Sequence, residues 1–219
     1  MPDEVDRAKE RSLNLNLVLP FISAGIMLVF VIAVLSRWWR RKRAYLLAWA
    51  VGLSMFGIGS FAEAFSAVVW NGPIFRSWYL FGAMLNAAWI GQGTVYLLAK
   101  PRAAHLITVV VVLLSLVGTY GLVTLSLNAE AFSADVSLAE QYKEIMPKGA
   151  WVRAMTPLFN IYGLIALGAL VIALVGTLTR LGIGDFLYVG ELVAASLMFT
   201  GFRFANRPAP AVDSQLSSI

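Results

Sequence analysis

The chain is 219 residues long, 59% hydrophobic and only 13% charged, with a net charge of +5, no cysteine and a mean hydropathy of +0.77. Soluble domains run at about 45–50% apolar and about 25% charged, so this chain has too few polar side chains to cover a globular surface. A soluble domain and a disordered chain are both excluded, and an integral membrane protein is expected.

Residues 1–16 read as a polar N-terminal tail. The apolar run Leu17 to Leu35 follows, without a charge and long enough to cross the hydrocarbon core. It ends in Arg37-Trp38-Trp39-Arg40-Arg41-Lys42-Arg43, a stop-transfer signal that belongs on the cytoplasmic side. The first span therefore places the N-terminus outside. A signal peptide would need a basic start, a shorter core and a small-residue cleavage site.

Tyr45 to Trp70 is the second predicted span, closed by Asn71-Gly72-Pro73, and Trp78 to Ala99 is the third, closed by Lys100-Pro101-Arg102. Leu106 to Ser126 is the fourth. Aromatic residues cluster at both boundaries, with Trp38, Trp39, Tyr45 and Trp49 at one and Trp70, Trp78 and Tyr79 at the other. Residues 127–153 form an external loop, in which Ser137-Leu138-Ala139-Glu140 has the spacing of a capping box. Leu138, Tyr142 and Ile145 then predict a short helix lying on the membrane surface.

Ala154 to Thr179 is the fifth predicted span and Leu181 to Phe202 the sixth, before a flexible tail over 204–219. The fold expected is all-α: one transmembrane bundle of six helices over 17–203. Six crossings put Arg203 and Arg207 outside, against the positive-inside tendency, so the last orientation stays open.

Two carboxylates fall inside apolar spans, Glu63 and Glu191. An ionisable group there costs at least a few kcal/mol, so each is a candidate site residue by default. Glu63 lies on a helical stripe with Gly52, Phe56, Gly59, Ser66 and Trp70, whose small members allow another helix close approach. Counting about 1.5 Å per residue puts Glu63, Asn86 and Asn160 roughly 10 Å below the outer boundary on three helices. They are candidates to converge on one pocket, with Glu191 and its i−3 neighbour Tyr188 able to join them. Gln92 is a further candidate, four residues from Tyr96. Each of these also has a structural reading, as a polar side chain bonding two helices. Ala83, Ala87 and Gly91 form a small-residue ridge for helix packing. His105, at the inner start of the fourth span, reads as an interfacial residue.

The residue inventory narrows the chemistry. One histidine and no cysteine exclude bis-histidine haem, three-histidine metal sites and thiolate catalysis. Lys9, Lys42, Lys100, Lys143 and Lys148 all lie in tails, loops or boundaries, so no span carries a lysine for a retinal Schiff base. No phosphate loop, HExxH or nucleophile–base pair is visible, and no cofactor is implied. The basic residues follow the ends of the spans rather than an aromatic-interleaved stripe, which argues against nucleic acid.

Leu158-Phe159-Asn160-Ile161-Tyr162-Gly163, Gly176-Thr177-Leu178-Thr179-Arg180 and Tyr188-Val189-Gly190-Glu191-Leu192 resemble small uncharacterised bacterial multi-pass membrane proteins. These usually carry seven spans. The resemblance implies a bacterial inner membrane and an inside C-terminus, but no activity; here one helix between Tyr162 and Gly176 would be missing. The function expected is a non-enzymatic, sensor-like module that binds a small molecule or lipid. The alternatives are a transport component, or a structural subunit beside a membrane-protein partner.

Overall fold

The computed structural model describes residues 2–134 and 136–180, and every element among them is helical. Helix α1 runs from Pro2 to Arg41, α2 from Ala44 to Ser66 and α3 from Gly72 to Ser77. A π-helical segment, Trp78–Leu85, joins α3 to α4, Asn86–Leu98. Then come α5 (Pro101–Val123), a 3₁₀ turn at Ala129–Ala131, α6 (Leu138–Ile145) and α7 (Val152–Arg180).

Four stretches are long and apolar enough to cross a membrane: Val18–Arg41, Ala44–Ser66, Pro101–Val123 and Val152–Leu174. They match four of the six spans expected. The third expected span, Trp78 to Ala99, is not among these four; it falls on the unbroken rod from Gly72 to Leu98, about 40 Å long at 1.5 Å per residue, whose geometry changes twice along its length. The sixth, Leu181 to Phe202, and the tail after it lie outside the described residues. At the N-terminus α1 continues back to Pro2, so the segment expected as a tail is helical; nothing from Asp3 to Asn16 is a Gly or Pro that would stop it.

The links have local causes. Lys42, at φ 48°, turns the chain between α1 and α2, and its ammonium lies 4.4 Å from the Trp38 ring centre and 4.1 Å from that of Trp39. Asn71 caps α3 by accepting from the Ile74 amide at 3.0 Å, with Pro73 inside the first turn. Pro101 begins α5, so that helix starts five residues before the expected Leu106. Arg76 holds the other end of α5, donating to the Leu122 and Leu125 carbonyls at 3.2 and 2.8 Å. The expected capping box does not form, because the Ser137 side chain makes no cap bond. Gln141 closes that corner instead: its Oε1 accepts from the Ser133 amide at 2.8 Å and its Nε2 donates to the Ser133 carbonyl at 2.9 Å. The short helix expected here is present as α6, and it is tied in with Leu138 and Ile145 buried.

Small residues set how the helices meet. A Cβ on Gly59 would overlap the Gly82 backbone, one on Gly52 would overlap Ile90, and one on Gly163 would overlap Ala87. Helix α2 therefore lies directly on the π segment and α4, and α4 lies on α7. Outside, Val29, Leu106, Leu113, Leu116 and Leu158 remain exposed in continuous apolar bands, as helices facing lipid do. Gly59→Leu should lower the thermal midpoint of the detergent-solubilised chain by many degrees. Gly25→Ala, where no atom lies within 4 Å, should leave it unchanged within about 0.5 kcal/mol.

Candidate functional site

The helices α1, α2, α4 and α7 curve around an apolar groove of about 1100 Å³. Phe30 and Val34 of α1 form one flank, Leu164 and Leu167 of α7 the other, with Trp49 and Ala87 on the floor. Along α7 the groove extends from Arg153 to Leu170, roughly 25 Å at 1.5 Å per residue. That length approaches the thickness of a bilayer core.

Polar groups gather at its ends. Arg153, Tyr142, Tyr79 and Thr156 lie at the end covered by α6, where the Tyr79 and Thr156 hydroxyls are 2.9 Å apart. Arg37 and Thr94 lie at the other. No carboxylate is among the described lining residues, so the groove is apolar along its length and cationic at both ends.

The sequence candidates separate into different environments. Asn160 lines the groove, and its amide donates to the Ala83 carbonyl at 3.4 Å. Asn86 points into the π segment: it donates to the Gly82 carbonyl at 2.8 Å, and its Oδ1 accepts from the Ala87 amide at 2.5 Å. This side chain therefore bridges a carbonyl of the π segment and an amide of α4, at the point where one helix geometry gives way to the other. The two amides thus meet at neighbouring carbonyls of one segment, one from its own rod and one from α7.

Gln92 is fully buried at the centre of a chain of hydrogen bonds. Its Oε1 accepts from the Tyr162 hydroxyl at 2.5 Å, and its Nε2 donates to Thr108 Oγ1 at 2.7 Å and to the Ala104 carbonyl at 3.0 Å. Thr108 and the Tyr96 hydroxyl are 2.7 Å apart, and Tyr96 and His105 Nδ1 are 3.0 Å apart. Gln92 and Tyr96 are therefore joined through Thr108 rather than directly. This network ties α4 to α5 and α7 and ends at His105, which is exposed.

Glu63 is not with the two asparagines. It is half-buried, faces the Trp78 indole, and borders a separate small cavity with Ser66. Trp78 stands between that cavity and the groove, since it also lines the groove. Tyr188 and Glu191 lie outside the described residues.

Residues that sequence reasoning did not assign to a site include Arg153, Tyr79, Thr156 and Tyr162. Arg37 was expected as a topology anchor, a reading that its place at the groove mouth extends. Compared with family models, curated proteins and solved structures, the chain matches none.

The buried network makes a clear prediction. Tyr162→Phe removes one interhelical bond and should cost about 0.6–1 kcal/mol. Gln92→Leu strands the Tyr162 hydroxyl and leaves Thr108 and the Ala104 carbonyl with only each other and Tyr96, and should cost about 1–3 kcal/mol, measured by reversible unfolding in mixed micelles.

Proposed function

We propose that this chain is a multi-pass protein of a bacterial inner membrane that binds an anionic amphiphile, a molecule with an acyl-like body and an acidic head. The carrying observation is the groove: apolar through about 1100 Å³, with an arginine at each end and no carboxylate among its described lining residues. Apolar walls accept the hydrocarbon part by area removed from water and from loosely packed lipid. Arg153 supplies a charge-assisted donor for a carboxylate or phosphate head, beside the Tyr142 ring and the Tyr79–Thr156 pair. The polar groups near mid-groove are occupied with backbone carbonyls or with each other, which suits a binding module rather than a reaction centre.

The orientation with the N-terminus outside rests on charge. Arg37, Arg40, Arg41, Lys42, Arg43, Lys100 and Arg102 gather at one end of the bundle, which is the end placed in the cytoplasm. The α6 end then faces outward, and the head of the amphiphile lies at the outer interface. The short links and the resemblance to small bacterial multi-pass proteins support the inner membrane.

Binding of a fluorescent long-chain carboxylate to the full chain in zwitterionic nanodiscs tests this reading. Arg153→Gln should weaken binding about tenfold, equivalent to about 1.4 kcal/mol, and Leu164→Trp should block it by filling the groove. The matched alcohol, with the same chain and no charge, should bind wild type and Arg153→Gln alike. Equal binding of acid and alcohol to wild type, or binding indifferent to Leu164→Trp, contradicts the proposal.

A further inference from the structure

An amphiphile with one acidic head on Arg153 leaves the inner end of the groove unused, and that end also carries donors. Arg37 of α1 and Thr94 of α4 border it, with no carboxylate among the described lining residues. Thr94 is the informative side chain. In α5 and α7, Thr108, Thr119 and Thr177 each donate to the carbonyl four residues back, at 2.9, 2.7 and 2.8 Å. The two threonines that line the groove do not. Thr156 pairs with Tyr79 at 2.9 Å, and Thr94, only 3% exposed, makes no hydrogen bond among the described residues. Buried hydroxyls are ordinarily paired, so Thr94 keeps a free donor at the groove wall, at the same end as a guanidinium.

Length and volume bound what the groove holds. It is roughly 25 Å long at 1.5 Å per residue along α7, and an extended chain advances about 1.2 Å per bond, so one chain of about twenty carbons runs its length. An apolar cavity of about 150 Å³ takes one benzene, or about 25 Å³ per carbon, so about 1100 Å³ holds roughly forty carbons. One chain with a head at each end would meet both arginines and leave half of that space empty. One lipid with two chains and a single head would fill the space and leave Arg37 and Thr94 without a partner. Two single-chain acids lying antiparallel satisfy both the ends and the volume. The ends also meet opposite interfaces, Arg153 the outer and Arg37 the inner, so each leaflet supplies one.

We propose that the groove holds two single-chain acidic amphiphiles side by side and antiparallel, one from each leaflet. The first head takes Arg153 with the Tyr79–Thr156 pair, and the second takes the Arg37 guanidinium and the Thr94 hydroxyl. This rests on the groove being a site for acidic amphiphiles, and adds to it a second head site and a stoichiometry.

The test is a count of hexadecanoate retained per full chain, by native mass spectrometry from micelles of an uncharged detergent across a titration. Wild type should saturate at two. Arg37→Gln should weaken one binding event at least about tenfold, and Thr94→Val should weaken the same event about three- to tenfold, with the other event unchanged. Arg153→Gln should weaken that other event and spare the first. Arg37 is exposed, so its replacement disturbs no packing. Arg40→Gln, equally exposed in the same basic run but outside the groove wall, should still saturate at two. Saturation at one in wild type, or Arg40→Gln acting as Arg37→Gln does, overturns the proposal while the groove remains a site for one acid. No retention of hexadecanoate, or equal retention of hexadecanol, removes the groove reading itself and this proposal with it.

Discussion

The contact on which the rest of the molecule depends is the backbone-to-backbone approach of α2 and the π segment at Gly59 and Gly82. Apolar side chains gain nothing by leaving lipid for one another, so helices in a bilayer are held by close van der Waals packing and by hydrogen bonds. Glycine at both positions permits that approach, and Gly52 against Ile90 and Gly163 against Ala87 repeat it along the same layer. Helices α2, α4 and α7 therefore meet along small residues, while Trp49, Leu53, Leu164 and Leu167 project toward the concave side. The groove is what remains between those larger side chains.

Close packing also decides the fate of the polar residues. The π segment spreads its turns, and Asn86 bridges the Gly82 carbonyl and the Ala87 amide while Asn160 reaches the Ala83 carbonyl. Gln92 satisfies groups from two other helices, as a fully buried amide must. Those side chains are consumed by structure. The groups that stay available, Arg153 and Arg37 at the groove ends, are the ones that can meet a ligand. Helix α6 touches both the small cavity and the groove, with Leu138 on one and Tyr142 on the other.

Much of the helical framework was legible in the sequence because length and charge settle it. Apolar runs of twenty residues or more, interrupted only by Glu63 in the second, marked α1, α2, α5 and α7, and Asn71-Gly72-Pro73 marked the turn before the rod. The Ala87–Gly91 ridge was readable as a packing face, and it meets Gly163 and Ala166. The π geometry was not readable, since hydrophobic periodicity is too coarse to distinguish an eight-residue π run from α-helix. Ser137 and Glu140 had capping-box spacing, yet the local bond lost to Gln141 and the loop it gathers. The common depth of Glu63, Asn86 and Asn160 could be counted from helix rise. Depth is only one coordinate, however. The side of the rod on which each residue falls follows from how α2 crosses it, and that crossing sends Glu63 beyond Trp78, away from Asn160.

The central claim is that the groove is a binding site with a preference for negative charge at its ends. Native mass spectrometry of the full chain, extracted gently from the membrane in which it is expressed, addresses it most directly. An acidic amphiphile should be retained on the wild-type chain and be missing from Leu164→Trp. A bare wild-type chain, or neutral lipids retained equally by both proteins, would contradict it.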